Sequence, residues 1–191
     1  MSKSDPAAAK RERLKTVKWV ITIFFVTILI SGVISLVSDE VMANSSVAVA
    51  FVILLAIIFL GIVFDIIGMA VATADEKPFH SMAARKVPGA QESIKLLRNA
   101  ERVSSICNDV VGDICGVVSG SASATIATLV LMNVEVGWPR GISLIMSALV
   151  AGLTVGGKAI GKTFAVNSCT EIVHMVGRVI YHLNHLTKKK K

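Results

Sequence analysis

Charged residues are scarce in this sequence, and their scarcity argues against an ordinary soluble domain. Only 17% of the residues are charged, whereas a soluble globular domain usually contains about 25%. The deficit comes from long segments that carry almost no charge. Runs of about 18 or more apolar residues are long enough to cross a bilayer. We therefore predict an all-α integral membrane protein.

Cysteines, aromatic residues and catalytic motifs are also scarce. The three cysteines form no CxxC pair, and an odd number does not suit a disulfide framework. The net charge is +7, but the basic residues flank the apolar runs and form no nucleic-acid-binding module. The sequence contains no HExxH, nucleophile elbow or phosphate loop. We predict that the protein is not an enzyme, has no catalytic residues and binds no nucleic acid.

The apolar runs predict four transmembrane spans, at residues 19–37, 47–73, 104–132 and 141–157. A basic tail at 1–18 precedes the transmembrane domain (19–166), and an amphipathic helix with a basic tail follows at 167–191. Arg140 is the only one of the 20 lysines and arginines in an expected outer loop, and positive residues favour the cytoplasmic side. The first run is too long for a signal peptide and lacks a cleavage site, so we expect a permanent anchor. The prediction is a multi-pass protein of the cell membrane with both termini in the cytoplasm.

Two polar segments on the cytoplasmic side are predicted to form amphipathic juxtamembrane helices. The connection at residues 75–103 reads as two pieces broken at Pro88-Gly89. In the second piece Ala90, Ile94 and Leu97 fall on one helical stripe, which indicates either a helix lying in the membrane interface or a solvated linker. The C-terminal helix has a wider apolar side, formed by Ile172, Met175, Val176, Val179, Ile180 and Leu183.

Five charged residues are expected at a similar depth in the inner halves of three spans. They are the acids Asp65, Asp109 and Asp113 and the bases Lys158 and Lys162. Ionisable groups at membrane depth usually mark a site or a satisfied pair. Carboxylate oxygens suit hard cations such as Mg²⁺, which indicates a hydrated-cation site. The alternative is a buried network in which the two lysines neutralise the acids, and lysines of this kind could also gate a site.

Glycines repeat at a spacing of four in the third span. Gly112, Gly116 and Gly120 form a small-residue ladder that allows close helix packing, either in a homodimer or against a neighbouring span of the same chain. Gly156 and Gly157 are expected either to break the fourth span, as in many transport sites, or to cap its end.

Four short stretches resemble the transmembrane domain of the CorC/CNNM family of magnesium transporters. The resemblance covers roughly residues 47–180, in the family's order of helices. Its motifs are Phe-Asp-Ile-Ile-Gly-Met-Ala-Val at 64–71, Gly-Ala to Glu-Arg at 89–102, Asn-Asp-Val-Val at 108–111 and Gly-Lys-Ala-Ile-Gly-Lys at 157–162. It implies a divergent member without the CBS domains that follow in many relatives, and with the first span as an addition.

The resemblance also implies which residues would bind the ion. It implies magnesium or another divalent cation as the ligand, and it singles out Asn108 and Asp109, with Asp65 as a nearby oxygen. Together with the three acids at one depth, the expected oxygen ligands or attractors are Asp65, Asn108, Asp109 and Asp113. Asn108 keeps one of the family's paired asparagines, Asp109 replaces the other, and Lys158 stands where the family has a glutamate. Two functions remain open: a divalent cation transporter or its transmembrane module, and a transport-inactive membrane scaffold or regulatory subunit.

Overall fold

A computed structural model describes residues 6–133 and 139–188 of the chain, and every regular element within them is helical. The prediction of an all-α membrane fold is confirmed. A π-helical segment lies between the fifth and sixth α-helices at Ile106–Gly112. The α-helices are α1 (Pro6–Ala43), α2 (Val47–Thr73), α3 (Lys77–Ala84), α4 (Ala90–Arg98), α5 (Ala100–Ser105), α6 (Asp113–Asn133), α7 (Pro139–Asn167) and α8 (Cys169–Lys188).

Four helical stretches are long and apolar enough to cross a membrane, at Thr16–Met42, Val47–Thr73, Ala100–Met132 and Arg140–Asn167. The second stretch coincides with the predicted span. It begins where the Ser46 hydroxyl accepts a hydrogen bond from the backbone N–H of Val49, a common way to satisfy the free donors of a helix start. Each stretch rises about 1.5 Å per residue and therefore exceeds the roughly 30 Å of the hydrocarbon core. The described residues exclude parts of three predicted segments. These parts are residues 1–5 of the N-terminal basic tail, 134–138 of the expected outer loop and 189–191 of the C-terminal basic tail.

The prediction that the fourth span breaks or ends at Gly156-Gly157 is wrong. Helix α7 continues through both glycines to Asn167. The reason lies partly in packing, because a Cβ at Gly157 would collide with the side chain of Ile62 on α2. At Gly161, one turn further along, a Cβ would approach the side chain of Ile66 to 2.8 Å. These two glycines therefore allow α7 to lie close against α2 and do not end the helix.

Helix α2 is the central element of the bundle. It packs against α6, α7, the π segment, α5 and α8, whereas α1 packs mainly along α6. An outer core forms where the spans meet, from Met42, Ala50, Leu54, Ile58, Ala122, Ile126 and Val150. Helix α1 remains peripheral, and most of its large apolar side chains are exposed, as expected for a helix surrounded by lipid.

A second core, called the inner core below, joins α3, α4 and α8 to the ends of the spans. The inner end of α2, together with α7 and α8, buries Ala70, Val71, Ala165, Ile172 and Val173 around Phe79 of α3. In α4, Ala90 is buried, and Ile94 and Leu97 pack against this core. The predicted stripe therefore belongs to neither a lipid interface nor a solvated linker, because α8 and α2 already cover it.

The contact between α4 and α8 is especially close. The hydroxyl of Ser93, which is fully buried, donates to the backbone carbonyls of Gly89 and Val173. Gly89 has a φ of +88° and packs against the backbone of Arg178, a conformation and a proximity that only glycine tolerates well. Gly177 faces Ser93 in turn. The connection between the second and third spans is thus fixed to the C-terminal helix.

Candidate functional site at the inner ends of the spans

Asp65 is a buried acid in the inner half of α2. It is only 3% exposed, because the helical period places it on the same face as Gly61 and Gly68, which both pack against the third span. A carboxylate at this depth is costly unless other charges or hydrogen bonds compensate for it. Its surroundings therefore decide what the site can do.

Two lysines of α7 approach Asp65. Because they are four residues apart, they share one face of the helix. The Nζ atom of Lys158 lies 3.9 Å from Asp65 Oδ1, and the Nζ atom of Lys162 lies 3.6 Å from Asp65 Oδ2. Both distances exceed the roughly 2.7–2.9 Å of a charge-assisted hydrogen bond. The lysines thus balance the negative charge of Asp65 without bonding its oxygens closely.

The Lys158 ammonium lies among three oxygens from three different residues. It donates a hydrogen bond of 3.1 Å to the carbonyl of Gly112, and it lies 3.7 Å from Asp113 Oδ1 in addition to Asp65. Gly112 leaves room for this arrangement, since a Cβ there would lie 3.3 Å from the ammonium. The Lys158 side chain is 19% exposed and that of Asp113 is 73% exposed, so the cluster extends from the core to the surface.

Two buried oxygens beside this cluster accept no hydrogen bond from the described residues. They are Asp65 Oδ2 and Asn108 Oδ1. The amide nitrogen of Asn108 donates to the Ser104 hydroxyl at 3.2 Å, and its carbonyl oxygen packs against Gly68 of α2. Buried acceptors without a protein partner are uncommon, so these two oxygens are candidates for binding a ligand.

Asn108 lies on the π-helical segment. Hydrogen bonds in a π-helix run from i to i+5, and such single turns often occur at functional sites. Asp109 and Asp113 belong to the segment and to the start of α6, but both are exposed. Of the four predicted ligands, the structure buries the Asp65 carboxylate and the Asn108 oxygen and leaves Asp109 and Asp113 towards the surface. In the described parts of the chain, no group of three or more His, Cys, Asp or Glu side chains could hold a metal ion.

A cleft of about 340 Å³ between α6 and α7 reaches Lys158. Its polar lining consists of hydroxyl residues on both helices, namely Ser119, Ser123, Ser147 and Thr154. Ser119, Ser123 and Thr154 donate to carbonyls of their own helices, so their oxygens retain only acceptor capacity towards the cleft. The sequence pattern does not join the serines of α6 to Thr154, because only the packing shows that the two helices flank one space.

The glycine ladder separates into two parts. Gly112 packs against Lys158 and Asp65, whereas Gly116 and Gly120 line the cleft and have open space where a Cβ would be. Gly156 on α7 has open space as well. Among the described residues, only Gly112 of the three ladder glycines therefore packs closely against a neighbouring span.

No protein-family model, curated protein or solved structure matches this chain.

Proposed function

We propose that this protein is a divalent cation transporter, or the transmembrane module of one, with a magnesium-like ion as its substrate. The observation that carries the proposal is a buried Asp65 carboxylate whose Oδ2 accepts no hydrogen bond from the described residues. Oxygen atoms are the ligands that hard cations prefer, and Mg²⁺ needs only one or two carboxylates because it keeps several waters. Asn108 Oδ1 supplies a second acceptor of the same kind, also without a hydrogen bond from the described residues.

Lys158 acts in this proposal as a tethered cation that holds the site while the ion is absent. Its ammonium has the charge that an arriving cation would contribute, and it lies near Asp65, Asp113 and the Gly112 carbonyl. A cation can bind Asp65 only after Lys158 has moved away, because like charges at this distance repel. The cleft beside Lys158 provides space and acceptor oxygens for the displaced side chain. Lys162, which is half exposed, assists from the cytoplasmic end.

Magnesium flux into liposomes that contain a magnesium-sensitive dye tests this proposal. The purified chain should carry flux, Asp65→Asn should abolish it, and Lys158→Met should increase magnesium affinity severalfold because it removes the competing charge. The matched control is Lys77→Met, since Lys77 pairs with an acid at the surface and should leave flux unchanged. Unchanged flux in Asp65→Asn would exclude Asp65 as a ligand. Unchanged flux in the double variant Asp109→Ala, Asp113→Ala would remove those two acids from the site.

A second candidate function is a membrane scaffold or regulatory subunit that does not transport. The observation in its favour is that lysine ammonium groups already balance Asp65. In this case the parent chain binds no magnesium at physiological concentration, and Lys158→Glu creates binding that the parent lacks. Magnesium binding by the unaltered chain would rule out this alternative.

The proposal extends to assembly and orientation. We expect a homodimer in which Gly116 and Gly120 lie against a second copy, because exposed small residues at membrane depth allow two backbones to approach closely. We expect insertion in the cell membrane with both termini in the cytoplasm, since the basic residues flank the inner ends of the spans. No enzymatic step and no nucleic acid enter the mechanism.

A further inference from the structure

Helix α8 has two rows of apolar side chains, of which one is buried and the other is exposed among the residues that the structure describes. Ile172 and Val173 are buried against the inner core, and Gly177 is buried against Ser93. A separate row of large apolar side chains is exposed: Met175 at 65%, Val179 at 54%, Leu183 at 58% and Leu186 at 66%. These four residues are spaced by four, four and three, so they form a single stripe along the helix.

The position of α8 indicates what covers this stripe. The helix begins at Cys169, two residues after α7 ends at Asn167. Its first turn packs against Ala70 and Val71 near the inner end of α2, which is where a spanning helix leaves the hydrocarbon. Helix α8 therefore crosses the bundle at the level of the inner membrane boundary.

Helix α7 also exposes large apolar side chains near the turn that leads to α8. Phe164 and Val166 are 57% and 50% exposed, as expected of side chains that face lipid. Apolar side chains are thus exposed on both helices, on either side of the short turn that joins them. A bilayer would cover the side chains of both helices, whereas a partner protein on α8 would have to bind next to a span surrounded by lipid.

The charges around α8 favour a negatively charged lipid surface. Arg178 is exposed on the helix, and the sequence continues with lysines from Lys188 to Lys191. Glu171 is the only acid in α8. Basic residues next to an apolar helical stripe are attracted by the anionic lipids of the inner leaflet.

We propose that α8 lies on the inner leaflet, with the stripe of Met175, Val179, Leu183 and Leu186 inserted among lipid acyl chains and its basic residues bound to anionic headgroups. This proposal is independent of cation transport. A helix bound in this way inserts its apolar face about 5–10 Å into the headgroup and acyl boundary. The side chains on the opposite face, such as His185, remain in water.

Spin labels on the full-length chain in lipid nanodiscs test this arrangement. Cys107 and Cys115 are buried and can stay, whereas Cys169→Ala removes the more accessible thiol. A nitroxide is attached at Leu183→Cys or, as the matched control two residues away, at His185→Cys. The ratio of oxygen to nickel-chelate accessibility should be severalfold higher at residue 183. It should rise further when phosphatidylglycerol is added to phosphatidylcholine.

Equal water accessibility at residues 183 and 185 would overturn the proposal, as would strong spin–spin coupling between two copies at residue 183. If the accessibility ratio at residue 183 does not change when phosphatidylglycerol is added, the proposal that α8 binds anionic headgroups would be overturned. Arg178→Glu, which leaves the stripe intact, should remove that response, whereas Arg85→Glu at an exposed position on α3's end should not. If a label at residue 183 disturbs folding, Val179→Cys provides the same measurement one turn earlier.

Discussion

The buried pair of Asp65 and Lys158 should couple far more strongly than an exposed pair at the same distance. The perturbation is a double-mutant cycle made of Asp65→Asn, Lys158→Met and their combination. At 3.9 Å and an effective dielectric constant of about 20, the attraction is worth about 4 kcal/mol. Lys162 stays beside Asp65 in the cycle and recovers part of this energy, although its side chain is 47% exposed and is therefore screened. We expect a coupling free energy of about 2–4 kcal/mol in the stability of the fold.

The assay is reversible unfolding in mixed detergent micelles, followed by loss of helicity. The chain contains a matched control, because Lys77 lies 4.0 Å from Asp75 but both side chains are largely exposed. The cycle of Asp75→Asn and Lys77→Met should give no measurable coupling, since water screens an exposed pair. A coupling for Asp65 and Lys158 no larger than the roughly 0.6 kcal/mol that is average for polar pairs in a membrane protein would refute the reasoning.

Three glycine substitutions test the close contacts around the site and the joint between α4 and α8. Gly68→Ala should destabilise the fold by about 1–3 kcal/mol because a Cβ there collides with the Asn108 side chain. Gly32→Ala, which faces open space on α1, should be neutral or stabilising by up to about 1 kcal/mol. Thermal unfolding in detergent compares the two, and equal effects would contradict this packing. Gly177→Ala should separate α8 from α4, because its Cβ would lie 2.6 Å from the Gly89 carbonyl and collide with Ser93. The measurement is the rate of proteolysis of the connection at residues 75–103. We expect this rate to increase, and an unchanged rate would contradict the prediction.

The spans could be predicted from the sequence because their physical signal is strong. An uninterrupted apolar run defines Val47–Thr73, and helical periodicity alone brings Lys158 and Lys162 to one face. We predicted that Asp65 would lie near those lysines because the charged residues of three spans fall at a similar depth in the membrane. Four of the five charged residues expected at this depth lie together, namely Asp65, Asp113, Lys158 and Lys162, whereas Asp109 joins no ion pair with them in the described part of the chain.

The remaining features depend on contacts between helices, which the pattern of one helix does not contain. The π segment has no distinguishing composition, so no residue pattern separates it from α6. The glycine pair at 156–157 resembled the end of a helix. The role of Gly157 is instead to leave room for Ile62 of another span. The stripe of α4 looked like a surface for lipid because α8, which covers it, is distant in sequence. Metal binding by Asp109 and Asp113 stays a prediction.

The joint between α4 and α8 leaves little freedom between the C-terminal helix and the π segment. Ser93 ties α4 to the backbone of α8, and only Asn99 separates α4 from α5, which runs directly into the π segment. No loop longer than one residue lies between α4 and the π segment. We therefore expect a displacement of α8 to be transmitted through α4 and α5 to the turn that carries Asn108, which packs against α2 at Gly68.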